Sequence, residues 1–449
     1  MYNRYNVLKQ FENSSDFFNN VVYPNIEKYR KGDIKITVKD KNGKKLNGVK
    51  VKISQISHEF KFGANLFMLD EMETAEKNSI YKDSFKKIFN IATLPFYWNS
   101  IEPEKGNLRY EKNSPKYYRR PAIDLCMEYC EENGIEPREH ALAYDQFFPE
   151  WLYNATVDEI KVAYEIRCKE IAERYAHKIP TIEVTNETFW QNGKTAFYDE
   201  PDFIEWCFKT AEKYFPNNKL IINEAIYDAL CDVCRANSKY YSCIELNMLK
   251  GARIDGIGIQ FHMFFDRNEE IEKSDSLYDP INLYKRLDLY SNLTNNLQIT
   301  EITIPAYSNN DEDEKIQAKI LEYLYTLWFS HPKMTQIIYW NLVDGYAYVA
   351  NPTPERIRKS QGDMSLGENK YYGGLLRFDM THKPAYFTLD NLINNKFHTE
   401  VELFSDDNGK IEFKGFYGNY QMQIETNDGI FTKNFVLSSK DKNDITIDI

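Results

Sequence analysis

Two glutamates end apolar, β-prone segments of this chain, and as a pair they have the chemistry of an acid and a nucleophile. Glu187 follows the apolar run of "PTIEVTNETFW" (180–190), and Glu301 stands within "LQITEITI" (297–304). If two such carboxylates meet, one can protonate the leaving oxygen of a glycosidic bond while the other attacks or stabilises the anomeric carbon. Either glutamate alone is more often a surface charge or a buried salt-bridge partner, so the elements that position them decide the interpretation.

Eight short apolar runs between about residues 60 and 395 alternate with longer segments of helical periodicity. This alternation predicts a parallel sheet covered by helices, and eight strands are the number that closes a (β/α)₈ barrel. Glu187 ends the fourth run and Glu301 lies in the seventh, so both are expected at the carboxyl ends of barrel strands, where such barrels hold their active sites. The runs are "FKFGANLF", "IATLPFYW", "EPREHALAY", "TIEVTNE", "KLIINE", "GIGIQFH", "LQITEITI" and "TQIIYWNL".

The segments on both sides of the barrel region have a different pattern. Residues from about 5 to 30 predict a lead-in helix, and "IKITVKDKNGKKLNGVKVKIS" (34–54) alternates apolar and polar residues around two Asn-Gly pairs, which predicts a β-hairpin. The alternation returns near the C-terminus without helices. We therefore expect three parts: the helix and hairpin in 1–59, the barrel in 60–398, and a small β unit in 399–449 that packs with the hairpin.

The charge balance and the short apolar runs argue against two classes of partner. With 56 Lys and Arg against 68 Asp and Glu, the formal net charge is −12, and no segment concentrates enough base to follow a nucleic-acid backbone. The apolar run "LEYLYTLWF" is far shorter than the roughly 18–20 residues of a membrane span. Residues 1–20 show no signal peptide, which favours a cytoplasmic location as the sequence stands, or secretion if a leader has been removed. A monomer is expected.

Cysteine usage favours free thiols in a reducing compartment. The chain has 7 Cys, an odd number, and most of them stand in helix-like segments rather than in a disulfide framework. Cys231 and Cys234 form a C-x-x-C pair, but neither a second pair nor a histidine at ligand spacing accompanies it. We interpret the pair as part of a buried helix face rather than as a metal or redox site. No cofactor or metal is expected.

Six motifs at the predicted strand ends are informative as an ordered set: "REHALAYDQFFPEW", "EVTNE", "KLIINE", "DGIGIQFHM", "ITEITI" and "IIYWNLVDGYAY". Together they resemble glycoside hydrolase family 10, the endo-β-1,4-xylanase family of retaining enzymes, over roughly residues 60–395. The resemblance implies a (β/α)₈ barrel that cleaves β-1,4-xylosidic linkages, with a carbohydrate as its partner.

This resemblance implies a role for each matching residue. Glu187 would be the acid/base and Glu301 the nucleophile, while Asn186 would hold the 2-hydroxyl of the sugar and His262 would hydrogen-bond the nucleophile. Trp340 would form the floor under the sugar at the cleavage point. The other implied substrate-binding residues are His140, Asn223, Gln260, Trp98, Tyr97 and Tyr144.

The chain also departs from the family pattern. The second strand normally supplies Glu, Asn and Lys to the distal sugar subsite, whereas this chain has Thr93, Leu94 and Tyr97 in those places. Thr303 replaces the Asp that normally orients the histidine, so a charge is lost behind His262. We therefore expect catalysis, but weak recognition of plain linear xylan at the distal subsite.

Three interpretations stay open on the sequence. The first is a retaining hydrolase acting on a xylan-like polysaccharide or on xylo-oligosaccharides. The second uses the same carboxylates on another β-glycan or on a xylose- or glucose-bearing conjugate, which the altered distal subsite favours. The third is a barrel that binds glycans without turnover; both glutamates argue against it, and the missing charge behind His262 argues for it. For catalysis, Glu187 should be protonated at rest and Glu301 ionised.

Overall fold

The computed structural model describes residues 3–190, 193, 195–231, 233–234, 237–350, 355 and 359–449. Its strands are β1 (Lys31–Lys39), β2 (Lys50–His58), β3 (Lys61–Asn65), β4 (Ile91–Pro95), β5 (Glu136–His140), β6 (Thr181–Asn186), β7 (Lys219–Glu224), β8 (Val233–Cys234), β9 (Asn237–Ser238), β10 (Gly256–His262), β11 (Leu297–Thr303), β12 (Met334–Tyr339), β13 (Glu400–Phe404), β14 (Lys410–Phe416), β15 (Gly418–Thr426), β16 (Gly429–Leu437) and β17 (Asp444–Asp448).

The α-helices span Lys9–Asn13, Ser15–Phe17, Tyr23–Tyr29, Ala75–Ile88, Trp98–Ile101, Ile123–Glu132, Val157–Tyr175, Phe203–Tyr214, Lys239–Leu249, Glu270–Ser274, Pro280–Tyr290, Asp311–Ser330 and Pro384–Asn391. Shorter 3₁₀ and π turns cover Arg4–Leu8, Phe18–Val22, Asp145–Phe147, Glu150–Leu152, Ala196–Asp199, Tyr227–Cys231, Gly367–Tyr371 and Leu392–Lys396. No helix in the described ranges combines the length and apolarity that a membrane crossing needs.

Eight parallel strands close into a barrel, in the order β3, β4, β5, β6, β7, β10, β11 and β12. Each coincides with one of the eight apolar runs, so the predicted (β/α)₈ barrel is confirmed. Every residue of β4, β6 and β11 is buried, because a barrel strand faces side chains on one side and covering helices on the other. The covering helices begin at clear caps, such as the Thr156–Glu159 capping box before Val157–Tyr175.

The flanking strands form two small sheets that share one core. One sheet has the order β14-β1-β17 and the other β13-β2-β15-β16. Apolar side chains of both sheets, including Ile36, Ile53 and Met422, pack in a single buried cluster, so the two sheets form a β-sandwich. Segments from both ends of the chain therefore build this unit together.

The hairpin expected in 34–54 is not formed. β1 and β2 lie in different sheets, and each takes its strand neighbours from beyond residue 399. The alternating pattern was a correct sign of strands, but it does not encode which strand pairs with which. Burial decides the pairing here, because Ile34 and Ile36 on β1 face Val51 and Ile53 on β2 across the shared core instead of lying beside them.

The sandwich lies at the amino-terminal face of the barrel, away from the strand ends that carry Glu187 and Glu301. Phe416 of β14 packs against the ring of Phe397, and Phe397 stacks on Phe329, near the end of the helix Asp311–Ser330, with ring centroids 4.4 Å apart. The N-terminal turns are fixed separately, because the buried guanidinium of Arg4 pairs with Glu270 at 2.8 Å. Both ends of the chain are thus anchored to the barrel.

The C-x-x-C segment differs from the expected helix face. The backbone forms the turn Tyr227–Cys231 and then the short strand β8, which pairs with β9. The side chains of Cys231 and Cys234 lie outside the described part of the chain. The remaining cysteines, Cys126, Cys130, Cys168, Cys207 and Cys243, are free thiols.

Candidate active site

The register of the barrel strands sets polar side chains of neighbouring strands side by side at the carboxyl-terminal mouth. Gln260 on β10 is the register partner of Glu301 on β11, and Asn186 on β6 is the partner of Asn223 on β7. The register of β10 shifts between Ile259 and Gln260, which is a β-bulge or irregularity of the kind that re-aims side chains beside active sites. Strand pairing alone therefore gathers four of the predicted site residues.

Glu187 directly follows β6 in an unusual backbone conformation. Its φ of 49° is in the left-handed region, which costs a non-glycine residue roughly 1–3 kcal/mol and turns the chain out of the strand. The Glu187 Oε2 accepts a hydrogen bond from Tyr144 Oη at 2.7 Å, and Oε1 accepts one from Gln260 Nε2 at 2.9 Å. The carboxylate is consequently held across the mouth from two directions.

Glu301 is buried near the end of β11 and is surrounded by nitrogen atoms. Its Oε1 lies 3.1 Å from both Asn223 Nδ2 and Gln260 Nε2, and its Oε2 lies 3.1 Å from His262 Nε2. Donors of this kind stabilise the ionised form of a carboxylate and fix its orientation. The position suits a nucleophile that must meet a carbon atom at a defined angle.

One amide nitrogen bridges the two glutamates. Because Gln260 Nε2 lies 2.9 Å from Glu187 and 3.1 Å from Glu301, the two nearest carboxylate oxygens cannot be further apart than these distances laid end to end. This close approach of two oxygens is compatible with the roughly 5–5.5 Å that retaining glycosidases leave between their carboxyl groups.

The surroundings of Glu301 oppose the ionised form that was expected of it. Burial raises its pKa well above the usual range, and the nearby carboxylates of Glu183 and Glu187 add to the increase, whereas His140 opposes it. The expectation of an ionised Glu301 was based on its role and did not include the cost of desolvating a carboxylate among like charges. The ionised form is therefore reached only at a higher pH than for an exposed glutamate.

His262 connects Glu301 to Thr303. Burial lowers the pKa of His262, while Glu368 and Glu187 oppose this shift, so the ring favours its neutral form. The Nδ1 atom lies 3.0 Å from Thr303 Oγ1 and Nε2 faces Glu301. If Nε2 carries the proton and donates it to Glu301, Nδ1 accepts from the Thr303 hydroxyl. Thr303 thereby serves as a donor to the neutral ring instead of as an anion behind it.

A deeper layer of the barrel holds a third carboxylate, Glu183. It pairs with Arg138 and with His140 Nδ1 at 2.8 Å. Burial alone would raise the pKa of Glu183, but His140 and Arg138 outweigh burial and the net shift is downward. His140, Glu183 and Glu301 each present a possible metal-ligand atom within 4.8 Å of the others. Protein N–H groups already engage these oxygens, so we interpret the cluster as a hydrogen-bond network.

A cleft of about 290 Å³ opens above the two glutamates, and aromatic rings form much of its wall. Tyr97 and Tyr144 lie with ring centroids 6.0 Å apart, and Tyr97 Oη lies 2.9 Å from His140 Nε2. Trp340 follows β12 and packs edge-on against His140. The cleft thus brings together these predicted residues: Tyr97, His140, Tyr144, Asn186, Glu187, Gln260, His262, Glu301 and Trp340.

Three residues expected near the distal sugar do not line the cleft. The ring of Trp98 packs edge-on against Phe148, Leu94 belongs to the main hydrophobic core, and Thr93 is fully buried in β4. The reason is that β4 ends at Pro95 and its side chains are buried on both faces, so only Tyr97 beyond the strand reaches the cleft. Asn223 does not line the cleft either; it lies beneath the cleft and contacts Glu301.

Several lining residues come from loops and were not predicted. Arg119 and Arg120 stand in "KYYRRPA" (116–122), and their adjacency in a loop is the only trace in the sequence of a functional position. Gln146, Phe147 and Tyr348 stand within two of the strand-end motifs but were given no role there, and Glu368 lies beyond them. The lining residues missed on the sequence include Arg119, Arg120, Gln146, Phe147, Tyr348 and Glu368.

Fold and site together define a (β/α)₈ barrel with a two-glutamate centre at its carboxyl-terminal mouth. The family model described as glycosyl hydrolase family 10 matches residues 54–389, and the chain therefore belongs to this family. The resemblance seen in the strand-end motifs is confirmed.

Two curated relatives are each 25% identical to this chain. Endo-1,4-beta-xylanase 1 of Arabidopsis thaliana matches over 434 residues, which cover 94% of this chain and 40% of the relative. Anti-sigma-I factor RsgI6 of Acetivibrio thermocellus matches over 407 residues, which cover 89% of this chain and 45% of the relative. The chain thus spans less than half the length of these relatives.

Solved structures of xylanases have the same barrel. Xylanase 10B from Thermotoga maritima superposes with a TM-score of 0.56 at 22% identity, covering 75% of this chain and 96% of that structure. An endo-1,4-beta-xylanase from Caldicellulosiruptor owensensis gives 0.56 at 20% identity, covering 74% and 97%. At these identities the likeness supports the fold alone.

Proposed function

We propose that this protein is a retaining glycoside hydrolase that cleaves β-1,4-xylosidic linkages in a xylan-like polysaccharide or in xylo-oligosaccharides. The observation that carries the proposal is the amide of Gln260, which contacts Glu187 and Glu301 at 2.9 and 3.1 Å. Carboxylates held this close suit a covalent mechanism, because an inverting pair needs room for a water molecule between sugar and base. The xylanase names among the relatives support the choice of substrate.

In this proposal the reaction has two steps. Glu301 attacks the anomeric carbon while Glu187 donates a proton to the leaving oxygen, which gives a glycosyl ester on Glu301. Glu187 then removes a proton from water, and the water cleaves the ester so that the β configuration is retained. Asn186 Oδ1 accepts from Asn223 at 2.9 Å, which leaves its amide nitrogen as the atom available to the 2-hydroxyl of the sugar.

A second candidate is a retaining glycosidase for another β-glycan or for a xylose- or glucose-bearing conjugate. It uses the same two glutamates, and it is favoured by the aromatic wall at the distal end of the cleft, where Tyr97 and Phe147 lie with ring centroids 4.3 Å apart. Aromatic faces bind flat apolar surfaces by stacking and do not require sugar hydroxyls. A glycan-binding barrel without turnover is the third candidate, and the hydrogen-bonded glutamate pair argues against it.

We propose a structural role for the β-sandwich and the residues 1–59 and 399–449 that contribute to it. The sandwich packs at the amino-terminal face of the barrel, opposite the cleft, so it has no route to a sugar held at the glutamates. Its exposed faces carry ion pairs such as Lys50–Glu402 rather than a continuous aromatic platform. In this proposal the sandwich stabilises the barrel and does not bind substrate.

The decisive experiment follows hydrolysis of an aryl β-xyloside by ¹H NMR from the first turnovers. We expect the β anomer of xylose to be formed first and the α anomer to follow by mutarotation. Initial release of the α anomer would overturn the retaining mechanism, and no turnover of any aryl β-glycoside would favour the binding barrel. A panel of linear, decorated and mixed-linkage β-glycans then separates the first two candidates by their relative kcat/KM values.

A further inference from the structure

Arg120 is a buried cation on the wall of the cleft, and nothing in the proposed reaction uses it. Its side chain stacks on the ring of Tyr97, with Cζ 4.0 Å from the ring centroid, and it also faces Phe147 and Phe67 at 5.0 and 5.2 Å. Only 6% of the residue is exposed, yet it lines the same cleft as Glu187 and Glu301. A guanidinium held between aromatic faces keeps its edge available for a ligand.

Arg120 lacks an anionic partner within the described ranges. Its Nη1 donates to the carbonyl of Arg119 at 2.8 Å, and this is the one hydrogen bond found for its five N–H groups there. Outside those ranges the sequence contains a single carboxylate, Asp232. Burial lowers the pKa of Arg120 to about 10, and the adjacent charge of Arg119 adds to this shift, while Tyr97 opposes it.

Arg119 adds a second positive charge beside the first. It is buried and held by Tyr346 O at 2.9 Å and Asn341 Oδ1 at 2.7 Å, and its Nε has no hydrogen-bond partner among the described residues. Glu368 lies near Arg119, whose charge opposes the rise in pKa that burial causes in this glutamate. Glu368 offsets part of the cost of burying Arg119, whereas Arg120 has no carboxylate partner within the described ranges, so an incoming anion would offset the remaining cost.

The position of Arg120 relates it to the substrate and not to the bond that is cleaved. Tyr97, on which it stacks, bonds to His140, and Tyr144 lies between Tyr97 and Glu187. The guanidinium is therefore separated from the acid/base by two aromatic rings along the cleft. A sugar at the glutamates would place a neighbouring sugar, or a branch on it, beside Arg120.

We propose that Arg120, assisted by Arg119, binds the carboxylate of a uronic-acid residue carried by the glycan substrate. A planar carboxylate matches the fork of a guanidinium in a bidentate pair, and both hydrogen bonds are charge-assisted. The inference rests on the proposed function, because it assigns the substrate class of the same cleft. The substrate is accordingly an acidic, decorated β-glycan rather than a neutral linear one.

The test measures binding by titration calorimetry on the full chain carrying Glu301→Gln, so that ligands are not consumed. Two ligands are compared: a xylo-oligosaccharide with one glucuronosyl branch, and the same molecule with its carboxyl group reduced to an alcohol. We expect the acidic ligand to bind at least about tenfold more tightly, and this ratio to fall as the salt concentration rises. Equal affinities for the two ligands would overturn the proposal.

Arg120→Gln in this background should bring the ratio of the two affinities close to one, while the neutral ligand keeps its affinity within about threefold. Lys169→Gln, which removes an equal charge from an exposed helix position, should leave the ratio unchanged. If Arg120→Gln weakens both ligands equally, Arg120 only supports the aromatic wall and the proposal fails. Arg120→Lys keeps a charge without the fork and should retain a reduced preference, so the comparison still decides the question even if the glutamine variant does not fold.

Failure of the uronate site and failure of the proposed hydrolase give different results. Tight binding of the acidic ligand without turnover of any β-glycoside by the unmodified chain would leave the uronate site standing and remove the hydrolase. Turnover of aryl β-xylosides without discrimination between the two ligands would support the hydrolase and remove the uronate site.

Discussion

The two ends of the cleft are built in different ways. At the end that we propose to be catalytic, Glu187 and Glu301 are held by hydrogen bonds from Gln260, Asn223 and their neighbours, so that side chains from several barrel strands fix one another. At the distal end, rings such as Tyr97 surround a guanidinium and direct polar contacts are few. The first end is a dense polar network, whereas the second is an apolar wall with an embedded charge.

This difference separates reaction chemistry from recognition. Bond cleavage requires atoms placed within tenths of an ångström, and strands in a closed barrel provide such placement. Recognition of a particular glycan is supplied by loops, which change without disturbing the barrel. Substitutions at the catalytic end should therefore reduce activity on every substrate, while those at the distal end should change the ranking of substrates.

The largest effect is expected from Glu301→Ala. Removing the nucleophile prevents formation of the glycosyl ester, so kcat should fall by more than about 10⁴-fold on aryl glycosides and on oligosaccharides alike. Steady-state kinetics on both substrate types measures this, and Glu312→Ala, an exposed glutamate on a covering helix, is the matched control. A variant that retains a tenth of the activity on either substrate would remove Glu301 from the mechanism.

Glu187→Ala should discriminate between leaving groups. Oligosaccharides leave poorly without a proton, so their kcat should fall roughly 10²- to 10⁴-fold, whereas an activated nitrophenolate departs unprotonated and should be affected much less in the first step. Pre-steady-state release of nitrophenol compared with oligosaccharide turnover measures the contrast. Equal losses on both substrates would show that the acid and the nucleophile have been assigned incorrectly.

Thr303→Asp should move the acid limb of the pH profile. Burial raises the pKa of Glu301, so its ionised, reactive form is lost as the pH falls through that raised value. A carboxylate behind His262 raises the pKa of the ring, so the ring becomes an imidazolium. Because this imidazolium is closer to Glu301 than the new carboxylate is, it lowers the pKa of Glu301. The acid limb of kcat/KM should shift to lower pH by roughly one unit.

Thr303→Asn is the control for this shift, because it has the size of Asp without its charge. Its acid limb should stay where it is in the unmodified chain. An unmoved limb in the Asp variant would mean that a charge at position 303 does not reach Glu301 through His262.

The smallest effect is expected from Tyr97→Phe. The substitution keeps the ring under Arg120 and removes the hydroxyl that lies 2.9 Å from His140 Nε2. Loss of one such hydrogen bond costs about 1 kcal/mol, so kcat/KM should fall only about fivefold. Kinetics on one neutral and one acidic oligosaccharide gives the measurement. A loss of kcat/KM above a hundredfold would place Tyr97 in the catalytic network. The catalytic and distal ends of the cleft would then not be separate in function.

Sequence reasoning found the parts of the molecule that short-range patterns encode. The eight barrel strands were predicted because each is an apolar run that alternates with helical segments, and Glu187 and Glu301 were predicted from their places in those runs. His262 and Gln260 were implied by the family resemblance. The pairing of β1 and β2 was not predicted, since alternation indicates strands without naming their partners. Both strands instead pair with segments from beyond residue 399.

The distal end was predicted least well, for a physical reason. Leu94 and Trp98 were assigned to the cleft by position in a motif, but their side chains enter the packed layer between strands and helices. Arg119 and Arg120 lie in a loop whose course depends on contacts with residues such as Asn341, far away in the sequence. Such tertiary contacts have no periodicity, so neither composition nor spacing reveals them.

The shared sandwich also fixes an order of events while the chain is being made. β1 and β2 leave the ribosome well before the strands that flank them in the two sheets, which begin only at Glu400. At roughly 5–20 residues per second, the interval between them is on the order of tens of seconds. During that time both strands expose open edges, which are the usual points of misassociation between nascent chains. The barrel segment is therefore complete before the sandwich beneath it can form, and we expect β1 and β2 to be open to misassociation until the strands from Glu400 onwards have been made.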